Sequence, residues 1–144
     1  MAIVVTRSGS LVLARGEGTL DTADVAQLTG AIDARLSEQR PFLVVGDALA
    51  VQGLTAPARR FLGEHRKAKM RSVAHLDLGL VVAVRSPIVR GAMTAVSWLS
   101  GAFADLRMVE HRSELGAIAR EMHRARSISL SATDGAALDS FVND

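Results

Sequence analysis

The residues able to do chemistry in this 144-residue chain are few and scattered. Its four histidines, His65, His75, His111 and His123, stand at least ten positions apart, so none forms the His-x-x-x-His pair with which one helical turn grips a metal ion. Asp47 follows a run of apolar residues, the place where open α/β sheets present binding and catalytic groups. No second carboxylate or base accompanies it at a recognisable spacing, so general acid–base chemistry has no pair, and bonding the backbone of its own turn is the competing role. His111 also follows an apolar run, with capping of the next helix as its ordinary role. Gly16-Glu17-Gly18 opens a dinucleotide fingerprint, but Asp21 occupies the position of the third glycine. The chain contains no phosphate-cradling Gly-Lys-Ser/Thr loop, no Gly-x-Ser-x-Gly elbow and no cysteine. These observations assign no catalytic residue, no metal site and no cofactor, and an enzyme is not expected.

Two features point instead to binding. Thr55 precedes a helical pattern and is an N-cap by residue type. A phosphate added there would meet the positive end of the helix and nearby Arg59, which makes Thr55 a phosphorylation candidate. The stretch 59–71 then holds Arg59, Arg60, Arg66, Lys67, Lys69 and Arg71 against Glu64, a local charge of +5. Asp47, Arg59, Arg60, Arg66 and Lys67 are accordingly the candidate partner-binding residues. Nucleic acid is not the expected partner, because phosphate contacts alone are weak and salt-sensitive and no base-reading module accompanies the patch. An aromatic content of 3% also supplies few stacking residues for single strands.

Composition sets the frame for these groups. With 49% apolar and 22% charged residues, the chain has enough apolar surface for one globular core and is not a disordered protein. The net charge of +2 combines a +5 excess over residues 1–126 with an acidic end carrying Asp134, Asp139 and Asp144. The N-terminus lacks the basic, apolar and small-residue sections of a secretory signal. The longest apolar region, 78–99, is broken by Arg85, Pro87 and Arg90, so no transmembrane segment is expected and the cytoplasm is the default location.

The elements that must position these residues follow from periodicity. Ile3–Thr6 and Leu11–Arg15, separated by Arg7-Ser8-Gly9-Ser10, predict an antiparallel hairpin. Asp21 caps a helix with Val25, Leu28, Ile32 and Leu36 on one face, ending near Arg40 ahead of Pro41. Phe42–Val45 is continuously apolar, as in a strand covered on both faces, and Gly46-Asp47 closes it. The helix after Thr55 tolerates Pro57 in its first turn and turns Ala58, Phe61, Leu62 and His65 inward, with Arg59, Arg66 and Lys67 on the other side. Leu78–Val84 is a second covered strand. Ser86-Pro87 starts a helix with Ile88, Ala92, Ala95, Val96 and Leu99 inward. Leu106–Glu110 is a further strand, and Ser113 caps a last helix through Leu115, Ile118, Ala119 and Met122. Such alternation predicts an α/β sandwich with a mostly parallel central sheet of about five strands, the hairpin forming an antiparallel edge, and four helices. Residues 1–126 form the domain, and 127–144 a flexible or weakly helical tail.

Several of these segments together resemble the STAS-like family of sulfate transporters and anti-sigma factor antagonists. They are Gly18-Thr19-Leu20-Asp21 before the first helix, Phe42-Leu43-Val44-Val45-Gly46-Asp47 as the central strand, Gly53-Leu54-Thr55 leading into the second helix, and Leu106–Glu110 before the closing helix. The resemblance covers about residues 1–123 and is nearest to small stand-alone bacterial STAS-like proteins. It implies a non-catalytic signalling module that binds a protein partner, a kinase or anti-sigma-like regulator, under control of a phosphorylated Ser or Thr at the start of the second helix. Where that family carries an Asp-Ser-Ser/Ala-Gly type motif, this chain has Gly53-Leu54-Thr55-Ala56-Pro57. The Asp is absent, Pro57 takes a flexible position, and Thr55 is the nearest match. Some STAS-like relatives bind small molecules or lipids, so the alternative function is a carrier or sensor of a small apolar ligand, held between the sheet and the helix containing Met93 and Trp98. The exposed edge of the first hairpin suggests a homodimer as a further arrangement.

Overall fold

The computed structural model describes residues 2–69, 74–99 and 105–144, with the backbone alone for 96–99. Five strands form one sheet in the order β1-β2-β3-β4-β5, comprising β1 (Ile3–Ser8), β2 (Leu11–Leu20), β3 (Phe42–Leu54), β4 (Asp77–Ala83) and β5 (Leu106–Val109). β1 pairs antiparallel to β2, and every later pairing is parallel. Three helices make the crossovers: α1 (Thr22–Ser37), α2 (Ala56–Lys69) and α3 (Pro87–Leu99). Each crossover advances one strand in the same direction, and right-handed connections therefore put all three helices on one face. The other face is covered by α4 (Leu115–Ala125) and α5 (Ala132–Asn143).

Strand alternation divides the core accordingly. Val12, Phe42, Val44, Leu80 and Val82 face α1–α3, whereas Leu11, Leu13, Leu43, Val45, Leu78 and Val81 face α4 and α5. Leu78 and Leu80 would share a face in a regular strand. Gly79 separates them: its φ of +116° and the extra β4 residue between the pairs Phe42–Asp77 and Val44–Leu80 form a bulge that resets the alternation.

The predicted caps at three helix starts are present. Asp21 and Asp24 form a reciprocal capping box on α1, Thr55 Oγ1 accepts from Ala58 N at 3.2 Å, and Ser86 Oγ accepts from Val89 N at 3.4 Å. Other expectations change. β3 continues through 48–54 because β2 also extends to Leu20 and supplies its ladder, with two register shifts that place extra residues on β3. Ile88, 72% exposed, and Ala95 face outward rather than inward; Ala92 is buried as expected, and starting α3 at Pro87 turns Val89 and Met93 to the sheet beside it. Ser113 lies within a short 3-10 turn, Arg112–Glu114, and α4 begins after it. The stretch read as a flexible or weakly helical tail contains α5, a fifth helix, capped by Ser131 and anchored by fully buried Leu138.

Candidate functional site

Thr55 is half-buried at the junction where β3 ends, its backbone N–H donating to Leu20 O at 3.0 Å. The basic stretch that follows does not present one continuous charged surface. Arg59 folds back to donate to Leu54 O at 3.3 Å, while Arg60 and Lys67 are exposed and make no ion pair among the described residues. Arg66, expected on the outer side, turns inward and donates to buried Asp77 at 3.1 Å. Burial pulls its guanidinium below the ordinary arginine value, and Asp77 pulls it back up. Lys69 joins His65 on Asp33, at 3.1 and 2.7 Å. Burial alone would raise the Asp33 carboxyl, but the hydrogen bonds and charges of His65 and Lys69 outweigh it and hold the group below its usual range. The outer face of α2 is thereby reduced to Arg60 and Lys67, flanked by Arg59. Arg71 lies outside the described residues.

Asp47 also leaves the proposed surface, since it is 4% exposed and held from two sides. Arg15 Nε donates to Asp47 Oδ2 at 2.9 Å, Arg112 Nε pairs with the same oxygen at 2.8 Å, and Asp47 Oδ1 accepts from Leu49 N at 3.1 Å. Arg15 reaches further, donating to Phe141 O at the end of α5 and lying 4.6 Å from the Phe141 ring centre. Asp47 therefore joins β2, β3 and the segment before α4, as a buried carboxylate must when two guanidiniums compensate its desolvation. Beside it a cleft of about 430 Å³ opens, lined by Arg15, Arg85, Arg112, Glu17, Asp47, Ala2, Val4, Leu49 and Ala50 among others.

Sequence spacing missed Arg15, Arg85 and Arg112. The available signal was register: Leu11–Arg15 and Leu43–Asp47 are matched five-residue runs, and their ends pair directly as Arg15 and Asp47 in the parallel ladder.

A second, apolar cavity of about 140 Å³ lies between the sheet and α1–α3, with Leu28, Ile32, Val44, Leu54, Leu62, Val89 and Met93 in its wall. Met93 is in the wall of this cavity, while the side chain of Trp98 lies outside the described residues. Asp47, His65 and Arg66 are the ionisable residues in its wall.

The remaining histidines have local roles. His123 is buried, with Nδ1 facing Ala119 O at 2.9 Å and Nε2 facing Ser10 Oγ at 2.7 Å, so the ring Nδ1–H donates to the carbonyl and Nε2 pairs with the hydroxyl. His111 is exposed and opens the 3-10 turn, its backbone N–H donating to Glu114 at 3.2 Å. Among the described residues no three potential metal ligands cluster. No helix among them is long and apolar enough to cross a membrane.

No protein-family model matches the chain, and no curated protein matches it by sequence. Solved structures do match. The anti-sigma factor antagonist SpoIIAA in its unphosphorylated form aligns with a TM-score of 0.56 at 16% identity, over 88% of this chain and 100% of that one. An uncharacterised protein from the DUF3478 family with a SpoIIAA-like fold, from Shewanella loihica PV-4, aligns with a TM-score of 0.51 at 15% identity, over 79% of this chain and 89% of the other. The chain therefore has the SpoIIAA-like fold of STAS domains, with its five-stranded mixed sheet.

Proposed function

We propose that this protein is a non-catalytic regulatory module of bacterial signalling, located in the cytoplasm, that binds a protein partner through the start and outer face of α2. The observation that carries this reading is the fold shared with an anti-sigma factor antagonist, combined with Thr55 capping α2 beside Arg59. Arg60 and Lys67 supply exposed positive charge on the same helix, which suits an acidic patch on the partner. A phosphate on Thr55 would replace the hydroxyl cap with a group carrying about two negative charges at the helix start, reversing the local potential. The test uses wild-type protein and an Arg60→Glu/Lys67→Glu variant as baits in lysate of the source cell. A partner retained by the wild type at near-equal stoichiometry and lost by the double variant is expected; no stoichiometric partner, or equal retention by both baits, overturns the reading. Intact-mass analysis of protein purified from that cell tests the phosphate, and a Thr55→Ala variant must lose it.

The apolar cavity favours a second reading, a carrier or sensor of a small apolar ligand or lipid. Its volume decides the scale, because an apolar cavity of about 150 Å³ holds benzene. The cavity of about 140 Å³ therefore admits one ring or a short branched chain as it stands, and a long acyl chain would require α1–α3 to separate from the sheet. Native mass spectrometry of protein from its own source distinguishes the two: a stoichiometric apolar adduct supports the carrier, and a clean apo mass counts against it.

A further inference from the structure

The cleft beside Asp47 has a chemistry of its own. Its three arginines come from separate parts of the chain, Arg15 in β2, Arg85 after β4 and Arg112 before α4. Asp47 holds Arg15 and Arg112 through their Nε atoms, and the terminal nitrogens of Arg112 donate no hydrogen bond to any described residue. Arg85 is exposed and makes neither an ion pair nor a hydrogen bond among the described residues. The charged side chains of the wall are completed by Glu17, so three cations stand against two carboxylates, one of which is already buried between guanidiniums. Arg85 lies two residues before Pro87, where α3 begins. The lining also includes apolar Ala2, Val4, Leu49 and Ala50, of which Val4 is 55% exposed.

We infer that this cleft binds a small organic oxyanion, a carboxylate or phosphate on a short apolar body. The oxyanion is gripped by Arg85 and the terminal nitrogens of Arg112, whose planar forks match such groups. The apolar body covers Val4, Leu49 and Ala50, removing from water a surface that the folded chain leaves wet. Asp47 acts here as a positioning residue, because its hydrogen bond from Arg15 Nε fixes that guanidinium plane and its charge holds Arg112 beside it at 2.8 Å. A cleft of about 430 Å³ is within the usual size range of small-molecule sites, about 300–1,000 Å³. Neither the partner surface on α2 nor the apolar cavity is needed for this inference.

The experiment measures thermal unfolding at constant ionic strength with benzoate, phenyl phosphate or inorganic phosphate as the probe. Either aromatic probe should raise the melting temperature saturably, and the stronger one identifies the preferred oxyanion. Inorganic phosphate, lacking the apolar body, should bind more weakly than phenyl phosphate. Arg85→Glu should weaken binding by about tenfold or more, the loss expected for a charge-assisted contact, while Arg40→Glu, an equal charge change at another exposed site, should not. Because Arg85 has no partner among the described residues, its replacement should leave the unliganded melting temperature near wild type; if Arg85→Glu lowers it, Arg85→Gln takes its place. The inference is overturned if no probe gives a saturable shift, or if the Arg85 variant responds as the wild type does.

Discussion

The two faces of the sheet are built from similar residues but packed to different ends. On the α4/α5 face, Leu11, Leu43, Val45, Val81, Leu115, Ala119 and Leu138 are all fully buried. On the α1–α3 face, Val12, Ala58 and Val84 are as fully buried, but Leu28, Leu54, Leu62 and Met93 are only partly buried and line an apolar cavity. The closed face is completed by the end of the chain, since α5 supplies Leu138 and Phe141 and is tied down through Ser8 to Asp134, Arg120 to Asp139 and Arg15 to Phe141 O. The comparison teaches that stability and accessibility are separated across one sheet. A close-packed interior transmits every change in volume, whereas a face with a void can accept one.

The largest expected effect comes from the β4 bulge that sets which residues face each side. In Gly79→Ala the new methyl group would collide with the Asp105 carbonyl at a φ that side chains rarely adopt, so denaturant unfolding should show a loss of about 3 kcal/mol or more. Leu138→Ala should cost about 2–5 kcal/mol by cavity formation, and Leu62→Ala, at a half-buried position facing the existing void, distinctly less. Similar losses in the two would erase the distinction between the faces. The reverse substitutions sharpen it. Ala119→Leu should destabilise by about 1–3 kcal/mol through overpacking, whereas Ala92→Leu, whose side chain can grow into the cavity, should be neutral or stabilising in the same titration.

The smallest effect lies at the margin of the open face, where Asp33 bridges α1 to His65 and Lys69 of α2. Its carboxyl is held below the usual value in the folded state, so its contribution is present above the unfolded value and is lost as pH falls through the folded one. Asp33 is about one-third exposed, so the effect should stay below about 1 kcal/mol, and Asp33→Asn should flatten that part of the acid stability profile.

Much of this architecture was legible as pattern. The apolar runs at Phe42–Val45 and Leu78–Val84, and the caps at Asp21, Thr55 and Ser86, are local signals, and each lies where the chain changes element. The candidate site was less legible, because charge on a helix says nothing about which partner a neighbouring element brings. Arg66 has the spacing of a surface residue, but buried Asp77 on β4 draws it in. Asp47 follows an apolar run as ligand-binding carboxylates do, but Arg15 and Arg112 close around it. Ile88 and Val89 are equally apolar neighbours, and only the start of α3 at Pro87 determines which one faces the sheet.

By itself, the sequence determined the alternation of strands and helices and the mostly parallel sheet, because periodicity, capping and residue type are properties of short stretches. Tertiary structure alone decided that α5 closes one face while the other keeps a cavity, and that three arginines meet beside Asp47. Those outcomes depend on strand register and on contacts between residues as distant as Arg15 and Phe141, and no local pattern encodes such pairings.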